Sequence, residues 1–356
     1  MDTMLDAILQ EGFKHALAQS PARSFATTSA KLLLYGSAKV GKSVCALGLA
    51  RGFKHPIYVD GHDTRLEMPQ LEDALLKLYL ENKMDILIAK HCPRDLRLPP
   101  LARTILIQFT PTPLPQGFSA QAISPLSFTQ YMQAHKGEAL SSLFARFLKA
   151  GNCPATLHLN PSQNLYRTQE IYKLFLGTQF PLFKALLRFQ ALNITTHHLY
   201  TQLKKTLKLS KDTFYAFMHF LQESQSIFLI PHYNAPTKPR KLYFGNFALP
   251  YALTPTHHLP CIFENMVALE LMRHFKQLYY QHPFLIAHSF YFFPLAFPSQ
   301  EHLDHKLTSL LKLTPPKHLF IITINFEKLG KVGTLPYHAC SFSHFVLEIL
   351  PTLGAN

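Results

Sequence analysis

The spacing of hydrophobic and polar positions changes character along the chain. Lys31 to Tyr35, Pro56 to Asp60, Ile86 to Ala89 and Thr104 to Phe109 are short apolar runs, and Ser43 to Ala50 and Leu71 to Asn82, which follow the first two, carry helical spacing. Strands alternating with helices predict a parallel sheet covered on both faces. Ahead of it, Leu5, Ile8, Leu9 and Phe13 mark an amphipathic helix that gives way to a loop of Ser, Pro and Thr up to residue 30. From Pro125 to Gly177 the pattern is helical, broken at Gly151-Asn152-Cys153-Pro154.

Residues 181–244 change again. Three apolar-periodic helices, near Leu182 to Ala191, Thr196 to Leu207 and Lys211 to Glu223, precede two short strands, Ile227 to Tyr233 and Lys241 to Phe244, around the Pro-rich loop Asn234 to Arg240. This succession predicts a winged helix. Beyond Pro255 the pattern is α+β: a helix from Phe263 to Phe275, strands around Leu278 to Ala287 and Phe290 to Phe297, a helix near Leu303 to Leu313 and a strand from Leu319 to Asn325.

Composition supports a folded chain: 47% of the 356 residues are hydrophobic and 16% charged, which excludes a disordered tail. The formal net charge of +14 would attract polyanions, whether nucleic acid, an anionic membrane surface or free nucleotide, but the excess is dispersed in singles and pairs, as solvation of the surface also requires. The five cysteines are scattered without a CxxC spacing, which argues against a disulfide framework and a structural zinc site. The first residues are acidic where a signal peptide is basic, and the longest apolar run, Phe284 to Phe297, is interrupted by His288, Ser289 and Pro294. A cytoplasmic chain with no membrane partner is expected.

One motif carries chemistry. Gly36-Ser37-Ala38-Lys39-Val40-Gly41-Lys42-Ser43 meets the spacing G-x-x-x-x-G-K-[ST] between an apolar strand and a helix. The glycines let backbone amides wrap around phosphates, Lys42 would reach the β- and γ-phosphates, and the Ser43 hydroxyl would ligate Mg²⁺, so ATP and Mg²⁺ are the expected cofactors. Hydrolysis needs more, normally an aspartate at the end of a later buried strand and a second acidic residue to orient water. Here that strand ends Ala89-Lys90-His91, and Asp85 lies at its opposite end. Asp60 and Asp63 follow the second strand and would either contact Mg²⁺ through water or, as such residues more often do, bond their own loop.

Elsewhere, Phe214, Phe217, Met218 and Leu221 form a core stripe on the third winged-helix helix, and the opposite face is mixed. Lys204, Lys205, Lys208 and Lys211, with Lys238, Arg240 and Lys241 in the wing, are candidate phosphate contacts on DNA, the alternative being a structural or protein-docking module. His197-His198, His257-His258 and His302 with His305 lack convergent ligands and are expected on the surface or at caps, and Cys45 as a small buried thiol.

The order of these features resembles the prokaryotic AAA-type ATPases that carry a winged helix and a C-terminal nuclease-like domain. Besides the phosphate loop, the resemblance rests on Ser124-Pro125-Leu126-Ser127-Phe128, on Gly151-Asn152-Cys153-Pro154, on Lys241-Leu242-Tyr243-Phe244, and on Phe263-Glu264-Asn265-Met266-Val267 with Glu270. It implies an AAA-like α/β domain with its N-terminal helix over residues 1–135, a helical connector over 136–180, a winged helix over 181–254 and a degenerate nuclease-like α+β domain over 255–356. The family's Asp-Glu pair is replaced near Lys90-His91, and its nuclease carboxylates would fall around Phe290-Tyr291-Phe292, leaving only Glu264 and Glu270. The expectation is therefore an ATP-binding protein with slow or lost hydrolysis and no nuclease activity. The alternatives are a DNA-binding or protein-docking scaffold with a vestigial loop, and a partner or second copy that supplies the missing groups.

Overall fold

A computed structural model describes residues 12–14, 16, 27–298, 307, 318–332 and 335–354. The chain divides into two compact units, one formed by residues 1–124 with 223–225 and the other by 125–222 with 226–356.

The first unit is built on a five-stranded, all-parallel sheet in the order β2-β3-β4-β1-β5. The strands are β1 (Lys31–Tyr35), β2 (Pro56–Asp60), β3 (Ile86–Lys90), β4 (Thr104–Ile107) and β5 (Ser119–Ala122). Leu32, Leu34, Ile86, Ile88, Ile105 and Ile107 point to one face, where they pack with Cys45, Ala46, Leu47 and Ala50 of helix α1 (Lys42–Ala50). Ile57, Val59, Leu87 and Ala89 point to the other, against Leu71, Leu75 and Leu78 of α2 (Met68–Leu80). Cover on both faces explains why these strands read as apolar runs rather than alternating ones. The polar edge strand β5, with three of its four residues exposed, has no such signature, and the sequence pattern gave no sign of it. The buried Cys45 lies in this core as expected.

The second unit begins with helices α3 (Phe128–Ala134), α4 (Leu140–Ala150) and α5 (Pro161–Leu176). Ser127 starts α3 with a reciprocal capping box to Gln130, satisfying two amides that the first turn would otherwise leave unpaired. Next come α6 (Phe180–Leu186), the two-residue strand β6 (Asn193–Ile194), α7 (Thr196–Lys204), α8 (Lys211–Glu223), β7 (Ile227–Ile230) and β8 (Arg240–Phe244), with the strands paired antiparallel as β6-β8-β7. The Phe214, Phe217, Met218 and Leu221 stripe of α8 is buried. After the short α9 (Leu249–Leu253) and the long α10 (Leu259–His274), a six-stranded mixed sheet follows in the order β13-β14-β12-β11-β10-β9. Its strands are β9 (Tyr279–Gln281), β10 (Phe284–Ala287), β11 (Phe290–Pro294), β12 (His318–Thr323), β13 (Lys328–Val332) and β14 (Leu335–Ser341). The helix expected near Leu303 to Leu313 lies, apart from Leu307, outside the described residues, as do His302 and His305.

The segments that carried the family resemblance meet inside this unit as structural joints. Glu270 of α10 accepts the Phe128 backbone N–H at 2.9 Å and pairs with Arg273 at 3.0 Å, while Arg273 Nη2 caps the Pro125 and Leu126 carbonyls. Glu264 accepts from the Tyr243 hydroxyl at 2.5 Å and pairs with the buried Lys241. Asn152 donates to the Gly245 carbonyl at 3.0 Å. Asn265, fully buried, receives the Phe244 N–H and Gln190 Nε2 on its Oδ1 and donates its Nδ2 to the Phe244 carbonyl. Asn265→Leu keeps the branching and the number of heavy atoms but strands the Phe244 N–H and carbonyl in the core, so a loss of about 2–5 kcal/mol is expected in urea unfolding, read as a lower midpoint at unchanged slope.

Candidate functional site

The phosphate loop turns away from β1 at Gly36, whose φ of 140° and distance from the β5 side leave no room for a side chain: a Cβ there would sit 2.6 Å from the Ile123 carbonyl oxygen. The Gly36 N–H is tied to the Phe109 carbonyl at 3.2 Å, beyond the end of β4. Lys39 takes a left-handed conformation, φ 57°, and Gly41, φ 101°, opens α1 without a side-chain cap or an acidic residue in the first turn. Such a wrapped loop leading into a helix N-terminus favours an anion.

Lys42 follows, 6% exposed. Its ammonium folds back to donate to the Gly36 and Ser37 carbonyls, both at 2.7 Å, and stands 4.9 Å from the centre of the Phe109 ring. Burial, reinforced by the charges of Lys90 and Lys39, pulls its pKa down to about 7. The lysine is thus held by the loop it would serve, close to its own titration point.

Strand parity places the remaining groups. Tyr58 and Asp60 on β2 and Lys90 on β3 alternate with residues of the α2 face, and in the parallel register Asp60 stands beside Lys90 and Tyr58 beside Ile88. All three therefore lie on the face covered by α1. Lys90 Nζ meets Asp60 Oδ2 at 2.5 Å. The Tyr58 side chain neighbours those of both Lys90 and Ser43. A row of polar groups thus runs from Ser43 at the head of α1 past Tyr58 to the Lys90–Asp60 ion pair. Although burial opposes it, Tyr58 and Asp60 hold the Lys90 pKa above the ordinary lysine value, so it stays charged.

His91 turns out of the strand with φ 51° and stacks between His62 and Phe109, at 4.7 and 4.4 Å. Burial, then the charges of Lys90 and Lys42, push its pKa down to about 3, so it is neutral at physiological pH. Gly61 allows the loops after β2 and β3 to touch: its N–H donates to the Lys90 carbonyl at 2.7 Å, and a Cβ would lie 2.5 Å from the His91 oxygen. Lys90 and His91 stand at the strand end where the sequence places them. Asp85 lies at the other end of β3, accepting from the His55 N–H at 2.9 Å. Asp63 bonds Arg65 in its own loop, which lowers its pKa to about 2. Tyr58 and Phe109 escaped the sequence reading. The parity of Tyr58 with Asp60 was the available signal for the first, and nothing local marked the second.

The donors present do not fit a divalent ion held by the protein. Magnesium wants a hard, anionic oxygen beside the loop hydroxyl. Ser43 has the Tyr58 side chain for a neighbour, the strand end carries an ammonium, and the Asp60 carboxylate is neutralised by that ammonium. Among the described residues no three His, Cys, Asp or Glu side chains converge on a common point.

Three solved structures align with parts of the chain, each at a TM-score of 0.40 or less. A Walker-type ATPase of Pyrococcus abyssi aligns over 69% of this chain and 93% of its own at 13% identity and a TM-score of 0.40. A Signal Transduction ATPase with Numerous Domains from Pyrococcus horikoshii, bearing a tetratricopeptide repeat sensor, aligns over 71% of this chain and 46% of its own at 11% identity and a TM-score of 0.29. Drosophila ORC, in a complex with AT-rich DNA and Cdc6, aligns over 68% of this chain and 88% of its own at 14% identity and a TM-score of 0.21. No protein-family profile matches the chain, and no curated protein matches its sequence.

Of the basic residues singled out for DNA, Lys204, Lys205, Lys208, Lys211, Lys238 and Arg240 are all exposed. Lys241 is not: at 2% exposure it is committed to Glu264, because β8 turns it inward opposite Asn193 and Ile230. It is withdrawn as a phosphate contact. His197, His198, His257 and His258 are exposed, and no helix is long and apolar enough to cross a membrane among the described residues.

The low Lys42 pKa has a directional consequence. A bound polyphosphate favours the charged lysine and raises its pKa above about 7, so binding takes up a proton between that value and the ligated one. Affinity for inorganic triphosphate should fall as pH rises from about 7 to 9, and titrations in buffers of different ionisation enthalpy should register net proton uptake. Proton release would contradict the assignment.

Proposed function

We propose that the chain binds ATP at the loop Gly36 to Ser43 and uses it as a conformational ligand, with hydrolysis slow or absent. The observation that carries this reading is the loop itself, with the Gly36 and Gly41 backbone conformations of a phosphate cradle and Lys42 poised on its carbonyls. Turnover is disfavoured by what stands at the end of β3. A neutral His91 stacked between two rings is a poor organiser of water, and Lys90 cannot hold Mg²⁺. Any Mg²⁺ that accompanies the nucleotide is then held by its phosphates and not by the protein. In this reading residues 1–135 form an AAA-like domain, 136–180 a helical connector, 181–254 a winged helix and 255–356 a degenerate nuclease-like domain. The helix, strand, two-helix and hairpin order of α6 to β8 supports the winged helix. In the last segment Glu264 and Glu270 are tied into structural joints rather than converging on a metal.

A second activity, DNA binding, is favoured by the exposure of Lys204, Lys205, Lys208, Lys211, Lys238 and Arg240 on α7, α8, the adjoining segment and the wing. They would contact phosphates without reading sequence. A protein partner, including a second copy, could occupy the same surface or supply the missing acidic or arginine groups.

Lys42→Ala removes a charge-assisted pair of hydrogen bonds and should weaken ATP binding about 10- to 100-fold, on the order of 1.5–3 kcal/mol. Calorimetric titration checks the affinity, and phosphate release from the wild-type chain should stay at the level of this variant. Unchanged affinity would remove the loop from the site, and release well above the variant's would establish turnover.

A further inference from the structure

The ammonium of Lys90 stands where a P-loop site ordinarily presents a carboxylate to its metal, and its surroundings are built to keep it there. The parallel sheet brings the ends of β1, β4, β3 and β2 to one edge, with Leu34 beside Ile107, Ile107 beside Lys90 and Lys90 beside Asp60. Asp60 anchors the ammonium, Tyr58 neighbours both it and the Ser43 side chain, and the Gly61 N–H fixes the strand end through the Lys90 carbonyl. About a fifth of the Lys90 side chain remains exposed. The Lys90 charge is felt at Lys42, where it is the second cause of the lowered pKa after burial.

We propose that Lys90 is the resident cation of this site, taking the place of the divalent ion beside the polyphosphate, so that nucleoside triphosphate binds without needing Mg²⁺. The proposal rests on the reading of Gly36 to Ser43 as a nucleotide site. The electrostatics favour it in both directions. A metal-free triphosphate carries the larger negative charge and would meet Lys42, Lys39 and Lys90 with a single carboxylate, Asp60, among them. A divalent ion placed at Ser43 would instead face an ammonium where it needs an anionic oxygen, and like charges in a partly buried site repel strongly.

The test is the affinity of the full chain for ATP, measured by calorimetry with excess MgCl₂ and again with excess EDTA. The expected result is dissociation constants that agree within about threefold, with the metal-free form equal or tighter. Lys90→Met should weaken metal-free binding about tenfold, and Asp60→Asn/Lys90→Met, which leaves no unpaired carboxylate, guards against a loss due only to misfolding. Lys90→Asp should make binding depend on Mg²⁺. Binding by the wild-type chain that tightens about tenfold or more with Mg²⁺, or metal-free affinity indifferent to Lys90, overturns the proposal. Absence of binding in both media overturns the nucleotide reading itself, and a Mg²⁺ requirement leaves that reading standing while removing this one.

Discussion

Everything at the candidate site depends on the register of one parallel sheet. Because the strands run the same way, β1, β2, β3 and β4 finish on a common edge, and because side chains alternate, a residue's parity decides whether it faces α1 or α2. Tyr58, Asp60 and Lys90 have the parity of Ile86 and Ile88 and so face the helix that begins at Lys42. A one-residue slip between β2 and β3 would send Lys90 to the opposite face from Asp60, leaving two charges unpartnered on a half-buried surface. The ion pair and the register therefore enforce each other.

The same parity explains what could be read in advance. The phosphate loop was legible because its spacing is strict and its strand and helix are strongly patterned, and the absence of acidic residues after Ala89 could be seen directly. That Lys90 holds Asp60 could not, because thirty residues separate them and only the pairing of β2 with β3 joins them. Phe109 was less visible still: it lies beyond the last ladder pair of β4 and reaches Lys42 and His91 through tertiary packing alone. Polar β5 had no apolar pattern to betray it, and Lys241 read as a surface cation because nothing in its neighbourhood of sequence announces Glu264.

In the second unit, the sequence segments most suggestive of lost chemistry are structural. Two carboxylates that would be expensive to bury alone are each answered by a cation and a hydrogen-bond donor: Glu264 by Lys241 and the Tyr243 hydroxyl, Glu270 by Arg273 and the Phe128 N–H. Burial raises the Glu270 pKa, with Arg273 and then the Phe128 N–H opposing the rise. Removing one partner from such a group costs more than the group ever contributed, since it leaves the other uncompensated. The presence of these residues therefore needs no catalytic explanation.

The first unit presents the converse case, where a single change of sign at a strand end alters what a retained motif can do. On the proposed reading the glycines and Ser43 would meet a phosphate chain through backbone shape and a hydroxyl, which do not depend on the residue at position 90, whereas the charge of Lys42 does feel Lys90. Orientation of water and neutralisation of a leaving group do depend on it, because those tasks need an anionic oxygen that holds a metal and a second that polarises water. With an ammonium at the first position and a neutral, stacked imidazole at the second, the site as proposed keeps the part of the chemistry that recognises the ground state. On that reading it lacks the part that would favour the transition state, and binding without that difference makes a sensor of a ligand rather than a catalyst.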